Sequence, residues 1–160
     1  MRDFRFVAVH RGGPLKKEQH RQMIRWSCAC VMHALPLLGE QFSFEKLDDR
    51  LKYALFVAKE WEKGNAKTGA AMKASVAAHA AARETTNPIL TALARAVGHA
   101  VATAHMSDHS LGGALYSLKA LKAAGKPIGA ERTWQIKQLP TEIKDLVAST
   151  MEKKEKAIVS

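Results

Sequence analysis

Histidine and arginine side chains are concentrated in the middle of the chain, where they could bind a ligand or transfer protons. Four histidines fall within 31 residues, and two arginines accompany them. An imidazole can ligate a metal ion or titrate near neutral pH, and a guanidinium binds anions. The candidate binding residues are therefore His79, Arg83, Arg95, His99, His105 and His109.

A metal ion is the first ligand to consider for this cluster. His105 and His109 are spaced i, i+4 and could hold one ion if their helix ran unbroken. His99 points about 120° away from His105 around the same helix, so it could not share that ion without a bend. Neither an HExxH motif nor a Glu-x-x-His pair is present nearby. We therefore predict no metal, with His105 and His109 as the remaining candidate ligands, and expect histidines that hydrogen-bond within the fold.

Residues for catalysis are lacking around the cluster. Paired carboxylates for acid–base chemistry are absent from the central helices, and the nearby hydroxyl side chains are typical of polar helix ends. The sequence Leu111-Gly112-Gly113 has no P-loop lysine and no preceding strand, so its glycines are expected to permit close helix contact. We predict no catalytic residue, no cofactor and no enzymatic activity.

Alanine dominates the segment that carries these side chains. Between Ala70 and Ala104, 14 of 35 residues are alanine, which has the highest helix propensity. Elsewhere apolar residues recur at three- and four-residue spacing, and no period-2 run of β-branched residues appears. The sequence predicts an all-α fold, a bundle of five main helices followed by a short C-terminal helical pair. The main helices are expected at about 14–35, 43–63, 67–84, 87–107 and 109–124, and the pair around 134–139 and 143–151.

Chain length and helix-breaking residues set the predicted boundaries. The 160 residues suit one helical domain, 1–160, with 1–12 as an N-terminal extension and 153–160 as a frayed tail. Pro36 and Gly39 are expected to end the first helix, and Asn87 is expected to cap the fourth.

The helical wheel separates two faces of the third helix. Seven alanines share one side, which favours close helix packing and would also suit a homodimer. Met72, Val76 and His79 share the other side with Arg83. On the fourth helix, the arginine and histidine of the cluster project away from the apolar stripe. The cluster is therefore expected at a helix seam or a cleft.

Composition limits the environment and the partners. No window approaches the ~20 apolar residues of a membrane span, and the N-terminus lacks a secretory signal, so we expect a cytoplasmic protein without membrane contact. Cys28 and Cys30 would point about 200° apart on a helix and are expected to be buried reduced thiols. The net charge is +10, and residues 1–25 carry seven basic residues against Asp3 and Glu18. No nucleic-acid-binding motif accompanies this charge, so nucleic acid is not the expected partner.

Several segments together resemble a known family. They are Arg11-Gly12-Gly13-Pro14-Leu15 with Glu18-Gln19-His20, Ala77–Arg83 (AAHAAAR), Ala96–His105 (AVGHAVATAH) with His109, and Trp134-Gln135 with Gln138-Leu139-Pro140. In this order they are similar to the putative immunity proteins encoded in bacterial polymorphic-toxin gene neighbourhoods, over about Arg11 to Val147. The resemblance implies a small all-helical protein that neutralises a cognate toxin by binding it, without catalysis.

Each function class predicts a different surface. An immunity protein should expose an apolar-aromatic patch with a polar rim, for which Trp26, Trp61 and Trp134 are candidates. A protein that binds a small ligand or metal through the histidine–arginine cluster should have perturbed histidine pKa values around a pocket. A nucleic-acid-binding protein should gather its basic N-terminal residues on one surface. Inhibitors of nuclease toxins are expected to be acidic, so this basic chain favours an acidic toxin or one that is not a nuclease.

Overall fold

Every regular element in the computed structural model, which describes residues 2–160, is helical. Within that range the chain forms seven α-helices and five short 3-10 turns, with no β-strand. Ala8 and Leu15 form an isolated bridge. The all-α prediction is therefore confirmed. The helices are α1 (Lys17–Leu38), α2 (Asp49–Glu62), α3 (Thr68–Arg83), α4 (Pro88–Ala102), α5 (Ser110–Ala123), α6 (Gly129–Lys137) and α7 (Thr141–Val159).

Two clusters of buried apolar side chains hold these helices together. The first joins α1 to α2, α3 and α4 and is rich in alanine. The second joins α1 to α5 and α7 and includes Phe6 of the N-terminal segment, which is 1% exposed. Helix α4 packs on α3 and α5, while α5 also packs on α1 and α7. The seam of α3, α4 and α5 is thus fixed from several sides.

The alanine face of α3 is buried inside the chain. Ala71, Ala74, Ala78 and Ala82 are at most 3% exposed, and α3 packs against both α2 and α4. Small side chains let these helices approach closely. Four of the seven alanines on this face are therefore already used for packing within the chain.

The first two helices have different boundaries from those predicted. Helix α1 continues through Pro36 to Leu38, and Gly39, which has φ +116°, is its C-cap. Pro36 lies in the last turn on the exposed side, where one lost backbone hydrogen bond is tolerated, while Leu35 and Leu38 are buried on the other side. Helix α2 begins at Asp49 rather than near 43, because the carboxylate of Asp48 caps it by accepting from the Arg50 N–H at 2.9 Å.

Helix α7 extends over the segment that was expected to fray. It runs to Val159, which is 5% exposed in the second core cluster, whereas a frayed tail was expected from residue 153. Arg132 of α6 binds Glu155 of α7 at 2.6 Å and fastens this tail. Helix α4 ends at Ala102, before the predicted 107, and a 3-10 turn over Ser107–His109 leads into α5.

Candidate functional site

Five of the six predicted side chains form a row along the seam of α3, α4 and α5. Arg95 Nη1 donates to Nδ1 of His79 at 2.7 Å, and the rings of His79 and His99 meet edge to face with centroids 5.2 Å apart. His99 Nδ1 lies 3.1 Å from Nδ1 of His109, whose ring is 5.4 Å from that of His105. We call Arg95, His79, His99, His109 and His105 the histidine row. Its members are all partly buried.

Arg83, the sixth predicted residue, lies apart from this row. Its side chain is exposed at the end of α3. The positive charge of Arg83 helps to lower the pKa of His79, but burial of the ring and the charge of Arg95 have larger effects. Arg83 therefore influences the row by charge.

Glycines on the facing helices make room for the imidazole rings. A Cβ at Gly98 would come 2.7 Å from Nε2 of His79, and a Cβ at Gly112 would overlap the His99 ring. The His99 ring also stacks on Tyr116, with centroids 5.1 Å apart and planes 9° apart. The glycines of the Gly112-Gly113 sequence permit close helix contact, as predicted. A larger residue at Gly112 would displace the row.

The end of α4 brings the later histidines onto the row. On one continuous helix His99 and His105 would diverge, but α4 ends at Ala102 and the following turn redirects the chain. His109 consequently returns to contact His99 from the start of α5. Among the described residues, no group of three or more His, Cys, Asp or Glu side chains is arranged to hold a metal ion.

Burial keeps the four imidazole rings of the row neutral at neutral pH. Burial lowers the pKa of His99 to about 4, and the charges of His109, His79 and Arg95 add to this effect. Burial also lowers the pKa values of His79, His105 and His109. Neutral rings suit the contacts, because His79 accepts from Arg95 and the His99–His109 pair needs one donor and one acceptor. The rings can donate and accept hydrogen bonds, but protonating one of them to the imidazolium form would cost free energy because the ring is partly buried.

An apolar groove lies between α1 and α2. It has a volume of about 420 Å³ and is lined by Met32, Phe44, Leu55 and Phe56 among others. Met32 and Phe56 are 42% and 57% exposed. A second hollow of about 310 Å³ shares Met32 and Phe44 and extends the groove along α1 to Gly39. We call this surface the α1–α2 groove.

The α1–α2 groove has a charged rim and an inert thiol. Arg25, Lys52, Lys59 and Glu62 line it, and Arg25 Nε donates to the Glu62 carboxylate at 2.8 Å. The two cysteines of the chain are free, as predicted, and burial raises the pKa of Cys28 in this groove to about 12. A thiol with that pKa stays protonated and is a weak nucleophile at neutral pH.

A family model matches residues 13–142, more than three quarters of the chain. It describes the Imm-5 like putative immunity protein. The chain belongs to this family. No curated protein and no solved structure matches the sequence of this chain. The matched region of this Imm-5-like protein contains the histidine row and the α1–α2 groove, and it ends at the first turn of α7.

The three tryptophans of this Imm-5-like protein, which are candidates for an exposed patch by sequence, are buried or partly buried. Trp26 is 3% exposed and donates from Nε1 to the Gln135 carbonyl at 2.8 Å. Trp134 stacks on His33 with centroids 3.6 Å apart, and Trp61 is partly buried. The exposed aromatic side chains include Phe56 and its neighbour Tyr53 instead. They lie off the apolar stripe of α2, which is the signal that could have found them.

The basic N-terminal residues of this Imm-5-like protein are partly neutralised. Arg2, Arg5 and Arg25 form ion pairs with Asp108, Asp3 and Glu62 respectively. These pairs reduce the charge available for a nucleic-acid surface. Among residues 2–160, no helix is long and apolar enough to span a membrane.

Proposed function

We propose that this Imm-5-like protein binds a cognate protein toxin and neutralises it without catalysis. The family match over residues 13–142 carries the proposal. A binding role requires an exposed surface whose apolar centre is surrounded by polar side chains. The α1–α2 groove provides such a centre and rim, with Met32 and Phe56 partly exposed to a partner. The histidine row is not assigned a chemical step.

The toxin segment that enters the α1–α2 groove is expected to combine apolar and acidic side chains. Apolar side chains would cover Met32 and Phe56, while carboxylates would meet Lys52 and Lys59 on the rim. The chain as a whole carries a net charge of +10, which speeds its encounter with an acidic partner. An acidic toxin therefore fits this surface.

Co-expression with the product of a neighbouring gene that stops growth when it is expressed alone tests the function. We expect the wild-type protein to restore growth of cells that produce the toxin and to co-purify with it as a stoichiometric complex. Growth rescue without a complex would contradict neutralisation by binding. A complex that leaves the toxin fully active would contradict neutralisation itself.

Replacing Phe56 with serine tests the surface. Phe56 is 57% exposed, so its loss should barely change folding, whereas an interface anchor contributes 1–2 kcal/mol or more to binding. We expect the toxin affinity, measured by calorimetry, to fall by roughly tenfold or more. The matched control is Val76→Ser, because Val76 is 67% exposed on α3 and outside the groove. Equal toxin affinities of Phe56→Ser and Val76→Ser would show that the groove is not part of the interface, and toxin binding itself would remain a valid proposal.

A further inference from the structure

A small polar pocket lies where the N-terminal segment meets the end of α4 and the start of α3. Its volume is about 150 Å³, and its polar walls come from Arg2, His10, Arg11, His20, Thr68, His105 and Ser107. Trp61 also lines it. Five of these polar side chains are arginines or histidines, four from residues 2–20 and His105 from the turn after α4.

The pocket has an excess of cationic groups. Within the described residues 2–160, no aspartate or glutamate lines it. One carboxylate, that of Asp108, lies 3.4 Å from Arg2 Nε, which leaves the charge of Arg11 uncompensated at this wall. Like charges gathered around a cavity raise its local potential and attract anions.

Buried polar atoms of the pocket are available to a ligand. Nδ1 of His105 is inaccessible to solvent and makes no hydrogen bond with any described residue, whereas Nε of Arg2 faces the Asp108 carboxylate. The Thr68 hydroxyl accepts from Trp61 Nε1 at 3.2 Å, so its own proton can be donated. Thr68 is also the first residue of α3, at the positive end of that helix dipole. Donors and positive charge therefore converge on one cavity.

We propose that this pocket binds an oxyanion of the phosphate type. A water molecule occupies about 30 Å³ in the liquid, so 150 Å³ holds one tetrahedral oxyanion with its bound water but no large ligand. An adjoining cleft of about 750 Å³ shares His10, His20, Trp61 and Thr68 with the pocket. Lys16, Lys17 and Arg21 line this cleft, which could hold the rest of a ligand that carries a phosphoryl group. This site is independent of toxin binding.

Protonation of the pocket histidines should accompany binding. Burial lowers the pKa values of His20 and His105, and the charge of Arg2 lowers both further. A bound oxyanion would counteract these effects and favour the imidazolium forms. Sulfate, a tetrahedral oxyanion whose own charge is constant between pH 6 and pH 8, should therefore bind more tightly at pH 6 than at pH 8. The other charged or titratable groups that act on these two rings are His10, Arg11, Asp108 and the neighbouring His109.

Titration of the isolated protein with inorganic phosphate tests the pocket. Ionic strength is held constant with sodium chloride, and binding is followed by calorimetry and by the NMR signals of the histidine rings. We expect saturable binding that shifts the ring signals of His20 and His105. Arg11→Gln should weaken binding by about tenfold, since it removes a charged hydrogen-bond donor. Arg11 is exposed, so this variant should fold.

Lys126→Gln is the matched control for the lost charge. Lys126 is exposed in the turn after α5 and does not line the pocket, so its loss should leave phosphate affinity unchanged. Phenyl phosphate distinguishes two kinds of ligand. If it binds more tightly than phosphate, the adjoining cleft holds the body of a larger ligand. If the two bind equally, the ligand is free phosphate.

Non-saturable binding of phosphate, or equal phosphate affinities of the Arg11→Gln and Lys126→Gln variants, would overturn the proposal. Because no toxin is present, either result leaves the proposed function untouched.

Discussion

Replacing Gly112 with alanine is expected to lower the free energy of unfolding by about 2–3 kcal/mol. A Cβ at this position would overlap the His99 ring, which cannot retreat because it stacks on Tyr116 and contacts His109. The seam must therefore open or the ring must leave its position, and both lose packing contacts. Urea denaturation at pH 7.5 measures the change.

Gly69→Ala supplies the matched control for this substitution. Gly69 lies in the first turn of α3, where an added Cβ would point into open space. Alanine has the better helix propensity, so this variant should be unchanged or more stable by up to about 1 kcal/mol. Equal stabilities of the Gly112 and Gly69 variants would show that the seam is not closely packed.

A double-mutant cycle locates the clash of Gly112→Ala on one ring. His99→Ala alone should destabilise the fold, because it leaves a cavity beside Tyr116 and an unpaired His109. Once the ring is removed, adding Gly112→Ala should cost less than it does in the wild type, although the His99 Cβ that alanine keeps would still lie 2.6 Å from the added methyl group. Additive effects would instead mean that the added methyl group meets some other part of α4.

The position of the histidine row was partly predictable from the sequence. Wheel geometry placed His79 on the face of α3 opposite the alanines, and placed Arg95 with His99 away from the apolar stripe of α4. These positions were predictable because the angle of a side chain around its helix depends only on residue spacing. Contact between His99 and His109 depends on the chain leaving α4 at Ala102. No local signal fixed that point, since Thr103 and Ala104 are compatible with a longer helix.

The α1–α2 groove and the order of the chain ends were not predicted. Tyr53 and Phe56 are large apolar residues on the polar side of α2, which indicates their exposure, but the groove beside Phe56 depends on how α1 packs against α2. The sequence after Lys153 is polar and helix-forming but lacks an obvious core pattern, so Val159 gave little sign of its burial. Both features arise from contacts between distant segments, which periodicity does not encode.

Acidification from pH 6.5 to 4.5 is expected to destabilise the protein by roughly 2–3 kcal/mol through His99 alone. A histidine in an unfolded chain has a pKa near 6.5, whereas His99 in the fold has a pKa of about 4. Between these values the unfolded chain binds more protons, so the free energy of unfolding falls as the pH falls. The stabilising effect of the neutral ring is fully present above pH 6.5. Urea denaturation at half-unit pH intervals measures the loss.

His99→Asn tests the assignment because an asparagine amide can replace Nδ1 toward His109 but does not titrate. We expect the variant to be less stable at pH 7.5, yet to lose about 2 kcal/mol less than the wild type on acidification. The control is Val97→Ala, which removes buried volume from α4 but keeps every histidine, and should retain the wild-type pH dependence.

The pH interval separates histidines from carboxylates. The Arg5 side chain, by hydrogen bonding, lowers the pKa of Asp3 to about 2, and Arg50 likewise lowers the pKa of Asp48, so ion pairs of these carboxylates are lost below pH 4. If the free energy of unfolding of His99→Asn falls above pH 4.5 as much as that of the wild type, the low pKa of His99 is contradicted. The loss would then come from the other buried rings, chiefly His20, His79 and His109. An NMR titration of the His99 ring in the wild type then decides, because a buried neutral ring keeps its chemical shift until the fold itself is lost or the pH approaches 4.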